Sequence, residues 1–186
     1  MGFSRVELES FRDATVPDLI GPGCRLLFVG INPGLWTAAT QTHFCHPSNR
    51  FYPALRGAGL IDFDIDTNTG MTDEQRTAFT STGMGISNLV QRATIRASEL
   101  TRDELEEGGH RLTRLVESIM PVVVAVAGVT AYRSAFGTKS AVLGAQGRSG
   151  PAEWWVLPNP SGLNAHASLA DLSEWFRAVA DAAGIS

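Results

Sequence analysis

Residues 121–127, Pro-Val-Val-Val-Ala-Val-Ala, restrict the possible folds more than any other stretch of the chain. Seven apolar residues are far short of the ~20 that a membrane-spanning helix needs. The β-branched run favours a strand, and the lack of polar alternation makes that strand buried on both faces. A strand of that kind needs helices above and below it. The flanking sequence supplies them. Thr101-x-x-Glu104 is a capping box, and Leu105, Leu112, Leu115, Val116 and Ile119 follow at helical spacing, leading directly into the strand. After Gly128, a second helix is expected through Tyr132 and Phe136.

The same alternation runs through the rest of the chain. Residues 25–30 (RLLFVG) read as a first buried strand closed by glycine, and residues 153–157 (EWWVL) as a third, stopped by Pro158. Between them, Ser48 or Asn49 caps a short helix carrying Phe51, Leu55 and Ala58, with Pro53 in its first turn and Gly57 and Gly59 ending it. Residues 61–75 are polar, acidic and turn-rich, and read as a connection or a short irregular helix. Residues 144–150 read as a glycine-rich loop. Ser168 caps a last helix whose apolar face is Leu172, Trp175, Phe176 and Val179, ending near Gly184. These elements predict an α/β fold of three layers, α/β/α, with a central and mostly parallel sheet. At 186 residues without internal repeats, a single domain spanning 1–186 is expected.

Composition removes several classes. With 44% apolar and 18% charged residues the chain is not disordered. Cys24 and Cys45 are the only cysteines, too few for a disulfide scaffold and without paired CxxC spacing for zinc, so a reducing cytoplasm is expected. No membrane segment is expected, and residues 1–6 carry neither a signal peptide nor a myristoylation pattern. The formal net charge of −4 argues against coating nucleic acid by bulk electrostatics. Docking on DNA then requires one positive face, for which Arg50, Arg56, Arg92, Arg96, Lys139 and Arg148 are the candidates.

In such sheets ligands bind beyond the carboxyl ends of the strands, which directs attention to residues 30–44 and 157–166. Asn32 follows the first strand between Ile31 and the rigid Pro33-Gly34 turn. A carboxamide there can orient a water but cannot act as a strong base, and the same residues also make an ordinary turn. Phe44 either stacks on a planar ligand or plugs the core. His43 and His46 raise the question of a metal, but spacing offers no third ligand, and Cys45 beside His46 reads as packing. In the second loop, prolines stiffen the start, and the amides of Ser161 and Gly162 are small enough to approach phosphate. Leu163 is a large apolar side chain on a polar loop, either a wedge for a base stack or a staple onto the last helix. No GxxxxGK[ST], GxGxxG or GxSxG sequence is present.

Four segments together, GINPG at 30–34, HFCHPSNRFY at 43–52, NLVQRAT at 88–94 and LPNPSGL at 157–163, resemble the mismatch-specific uracil-DNA glycosylase family, which includes the thymine-DNA glycosylases. The resemblance runs from Arg25 to the final helix. It implies that Asn32 is catalytic and positions the attacking water. It also implies that Phe44 stacks on the flipped base, that Ile31 and Gly34 line the pocket, and that Asn159 stands near the base carbonyl. Ser161, Gly162 and Leu163, with Asn164 and His166 beyond them, would form the loop that meets DNA. Cleavage would be largely dissociative, with charge on the departing pyrimidine stabilised by donors. Neither loop carries a lysine, so water is the acceptor and no strand-cutting step is expected.

The resemblance further implies no cofactor and no metal, and a monomer acting on double-stranded DNA bearing G:U or related mismatches, where a poorly held base is cheaper to extrude. Two departures stand out. Trp36 replaces a small or flexible residue and is expected to reshape the pocket, and no arginine follows Leu163. The alternatives are a noncatalytic mismatch-binding module of the same fold, and an α/β enzyme acting on free nucleosides. Leu163 argues against the latter.

Overall fold

The computed structural model describes residues 2–186; Met1, part of the N-terminal segment read for targeting signals, lies outside the described residues. Five strands, β1 (Leu26–Gly30), β2 (Met84–Asn88), β3 (Val123–Ala127), β4 (Gly144–Ser149) and β5 (Ala152–Leu157), form one sheet in the order β2-β1-β3-β5-β4. The first four positions pair in parallel, and β4 closes the edge antiparallel to β5. Every residue of β1, β2 and β3 is buried, as expected of strands covered on both faces.

The two-residue period of a strand divides the core. Leu26 and Phe28 of β1 join Phe51 and Leu55 of α3 (Phe51–Gly57) and Phe176 and Val179 of α7 (Leu169–Ala183). Leu27 and Val29 face the other way. They pack with Leu112 and Val116 of α5 (Arg102–Ile119) and Tyr132 of α6 (Val129–Phe136). Smaller helices α1 (Arg5–Glu9), α2 (Leu35–Thr40) and α4 (Asp73–Ser81) complete the fold. The three layers agree with the sequence expectation.

Three elements differ from it. β2 was not anticipated, and residues 144–149 are an edge strand rather than a loop, bulged near Gln146. The segment read as irregular ends in α4, opened by a capping box in which Thr72 Oγ1 accepts from the Gln75 amide. Each of the long helices has its sequence-predicted cap: Thr101 accepts from Glu104 N, and Ser168 from Asp171 N. Among the described residues, no helix is long and apolar enough to cross a membrane.

From β1 the chain moves to β2 on one side and then crosses to β3 on the other. Such a reversal opens a crevice at the carboxyl end of β1. The loop starting at Ile31 emerges there.

Candidate active site

Residues 30–34 are sewn to the segment after β2. Gly30, Ile31 and Pro33 carbonyls accept from the amides of Leu89, Val90 and Thr94 at 2.9, 2.9 and 3.1 Å. Asn32 sits in this frame with its amide group fixed in one sense. Its Nδ2 donates to the Arg92 carbonyl (3.0 Å), to the Pro33 carbonyl (3.1 Å) and to Thr94 Oγ1 (2.8 Å), whose own hydrogen goes to the Arg96 carbonyl. Backbone carbonyls only accept, so the atom facing them is the nitrogen. Asn32 Oδ1 takes no hydrogen bond within the described residues and is not among the buried unpartnered atoms. The loop therefore presents a held acceptor that solvent can reach.

Phe44 has φ +57°, a left-handed backbone that turns its ring back over the end of β1. One ring face stacks on Phe51 at 4.2 Å and 21°. A side chain at Gly30 would lie 3.0 Å from Phe44 Cζ and collide with Asn88 Oδ1. Only glycine at the end of β1 allows the ring and the amide to close in. Asn88, the last residue of β2, is buried, and Arg111 from α5 donates to its carbonyl. Its Nδ2 pairs with His43 Nδ1 at 3.0 Å. Asn88 was not singled out from sequence, and His43 only as a metal candidate without a third ligand; the other signal was their presence in the two motif segments.

The loop after β5 is organised by three polar groups. Asn159 Oδ1 accepts from the Ser161 amide (3.0 Å), so Asn159 Nδ2 is the donor left over; it lies 3.9 Å from where a Gly128 side chain would begin. Asn164 Nδ2 donates to the Asn159 carbonyl, and Asn164 Oδ1 accepts from His166 N. Arg50 lies underneath and donates to the carbonyls of Ser161 (3.1 Å), Asn164 (2.6 Å) and Ala167. Leu163 stands out from this brace at 91% exposure. It does not fold back as a staple on α7. A Cβ at Gly162 would fall 2.6 Å from the Ser48 carbonyl, so the wedge loop and the 46–49 turn meet at that glycine.

Some sequence expectations change. The Ser161 amide is occupied by Asn159 and is not free for phosphate, and the Asn164 side chain is spent inside the loop. Arg50 is an internal brace, while Arg56 pairs with Asp64, and Arg92 with Glu104 and Asp13, so these three do not form a free positive face. Trp36 is held by internal contacts: its Nε1 donates to the Thr67 carbonyl, and its ring packs edge-on against Phe3 and His46. Burial pushes the Cys24 thiol up to about 11 and raises that of Cys45, which disfavours a thiolate at either. Among the described residues, no cluster of three His, Cys, Asp or Glu could hold a metal.

A cleft of 760 Å³ opens beside this site, lined by Ile31, Val129, Asn159, His166, Glu174 and Trp175. Ile31 and Asn159 belong to its lining, and Asn32 and Phe44 do not. The space around Gly34 is open as well, with no atom within 4 Å of a Cβ position although its φ of −79° suits any residue. The structure thus gathers Ile31, Asn32, Phe44 and Asn159 at the strand ends and holds Leu163 outward on an adjacent braced loop.

The uracil DNA glycosylase superfamily model matches residues 17–183, which includes Ile31, Asn32, Phe44, Asn88, Asn159 and Leu163. The chain belongs to the uracil DNA glycosylase superfamily. Membership points to a DNA glycosylase that acts on uracil, and the parallel sheet with its site at the carboxyl ends agrees with that superfamily's fold.

Proposed function

We propose that this superfamily member is a monofunctional, mismatch-directed glycosylase that hydrolyses the N-glycosidic bond of uracil paired with guanine in double-stranded DNA. The observation that carries the chemistry is the fixed sense of the Asn32 amide. With Nδ2 committed to three acceptors, Oδ1 is left to accept a hydrogen from water and aim its lone pair at the anomeric carbon. A carboxamide takes no proton near neutral pH, so bond cleavage runs ahead of attack and the leaving pyrimidine gathers negative charge. The role of meeting that charge falls to Asn159 Nδ2, the donor left over once Oδ1 accepts from the Ser161 amide. Phe44, backed by Phe51, offers the base a stacking face, and Asn88 Oδ1 offers its edge an acceptor.

Leu163 supports the duplex preference. A fully exposed leucine on a braced loop suits a wedge entering the stack as a nucleotide leaves it, and a mispaired base costs least to extrude. The only lysine of the chain, Lys139, follows α6 and lies in neither loop, so water is the acceptor and an intact abasic strand is the product. The reading requires neither metal nor cofactor, and takes the protein as a monomer working in the cytoplasm. The test is single-turnover excision, with and without subsequent alkali. Product that appears only after alkali supports a monofunctional enzyme. Strand breaks without alkali would contradict it.

A further inference from the structure

Pro17, His43 and Asn88 form a relay that ends in the site. The Pro17 carbonyl lies 2.8 Å from His43 Nε2, and His43 Nδ1 lies 3.0 Å from Asn88 Nδ2. A carbonyl only accepts, so His43 Nε2 carries the hydrogen. A neutral ring then has a bare Nδ1, which accepts from Asn88 and obliges that amide to point its nitrogen away from the site. Asn88 Oδ1 is thereby turned over Gly30, next to the Phe44 ring edge. Its position agrees with the direction deduced from the tautomer.

We propose that His43 is a positioning residue that sets the hydrogen-bonding sense of Asn88, and through it selects bases with a uracil-type edge over those with a cytosine-type edge. The proposal rests on the glycosylase reading above. The two edges carry opposite patterns: uracil has a hydrogen on ring nitrogen 3 and a carbonyl at position 4, whereas cytosine has a bare nitrogen and an amino group. With Nδ2 turned away, Asn88 presents a single acceptor, which opposite ring nitrogen 3 takes the hydrogen of uracil and meets the bare nitrogen of cytosine. An amide free to rotate half a turn can present a donor there instead and accept cytosine.

The surroundings favour the neutral ring. His43 is 2% exposed, and this burial lowers its pKa. Asp18 acts in the opposite direction and Arg76 reinforces burial, while the Asp18 carboxylate is shared with Arg111 and Ser87. The His43 ring makes no other hydrogen bond among the described residues.

Two measurements test the relay. Long-range proton–nitrogen NMR of the wild-type protein, with His43 assigned by comparison with His43→Phe, reads the tautomer directly and needs no activity. Protonated Nε2 with bare Nδ1 at neutral pH is expected; the reverse overturns the proposal. The second is single-turnover excision of 5-fluorouracil and 5-fluorocytosine opposite guanine, two bases that share an activating substituent and differ in the edge. His43→Phe should lower the preference for 5-fluorouracil by about tenfold, the worth of one hydrogen bond. A parallel loss on both bases, or 5-fluorocytosine excision still undetectable in the variant, would show a merely structural histidine. If the wild-type protein excises neither base, the glycosylase reading fails and the tautomer measurement still decides the relay.

Discussion

Arg50→Met isolates the brace beneath the wedge loop. The methionine keeps an unbranched apolar stem in place and removes only the guanidinium, which donates to the carbonyls of Ser161, Asn164 and Ala167. Hydrogen bonds from a charged donor contribute ~1.5–3 kcal/mol each, so at the lower end of that range three give a gross stabilisation of roughly 5 kcal/mol. Two effects reduce it. The freed carbonyls belong to a surface loop and recover water, and Arg50 Nε is buried with no partner, a cost the variant removes. About half remains, ~2.5 kcal/mol, close to two powers of ten in the population of the ordered loop. Single-turnover excision from duplex should therefore fall about 70-fold, while excision from single-stranded DNA, which needs no wedge, falls less than about threefold. Hydrogen exchange at residues 161–167 should accelerate in the same variant. Arg50→Lys should not restore the rate, because one ammonium cannot span three separate carbonyls. Equal losses on duplex and single strand would refute the reasoning, as would an unchanged duplex rate with faster exchange.

Asn32→Ala should lower the chemical rate on every substrate about 100-fold or more with little change in duplex affinity, because it removes the held acceptor together with the Nδ2 bonds that fix it, all of them internal to the protein; equilibrium binding beside single-turnover rates checks this. Leu163→Ala should leave thermal stability within ~0.5 kcal/mol, since the side chain is 91% exposed, yet reduce duplex excision selectively. Gly162→Ala should do the opposite in the first respect, costing ~1–3 kcal/mol in denaturant titration, because the new Cβ meets the Ser48 carbonyl at 2.6 Å. Stability should also fall as pH drops below about 6.5. The folded-state pKa of His43 lies below its ordinary value of 6.5, so the unfolded chain binds the proton first and acid favours unfolding. His43→Phe should reduce the slope there, leaving the share of His46, whose pKa burial also lowers. Loss linked to Glu104, whose carboxyl Arg92 and the Thr101 amide hold near 2, belongs to a lower range, beginning below its ordinary 4.5.

Parts of this structure were legible in the sequence because their signals are local. The valine run of β3, the capping boxes at Thr101 and Ser168, and the Gly184 helix end depend on neighbours within a few residues. β2 escaped notice because Met-Gly-Ile-Ser-Asn is short and interrupted by glycine and polar residues. It is a strand through its pairing with β1, which residues 26–30 alone do not reveal. β4 was hidden by its glycines and depends on antiparallel pairing with β5. In the site, Asn32, Phe44 and Leu163 stood out as unusual residue types in their loops. The partners that give them direction did not. His43 and Asn88 are 45 residues apart, and Arg50 reaches carbonyls more than 110 residues away, so its charge reads from sequence as surface. Trp36 stood out as a departure from the family pattern, and its partners, Thr67 and Phe3, are not legible from position 36.

The most direct test of the central claim is a single-turnover assay with excess protein on duplexes carrying uracil opposite guanine, uracil opposite adenine or thymine opposite guanine, each followed by alkali. Cleavage that appears only after alkali and is fastest for uracil opposite guanine is the predicted result. Duplex binding with no alkali-sensitive product on any of the three would contradict it, and would mark the Asn32 site as one that holds a mismatch without cutting the glycosidic bond.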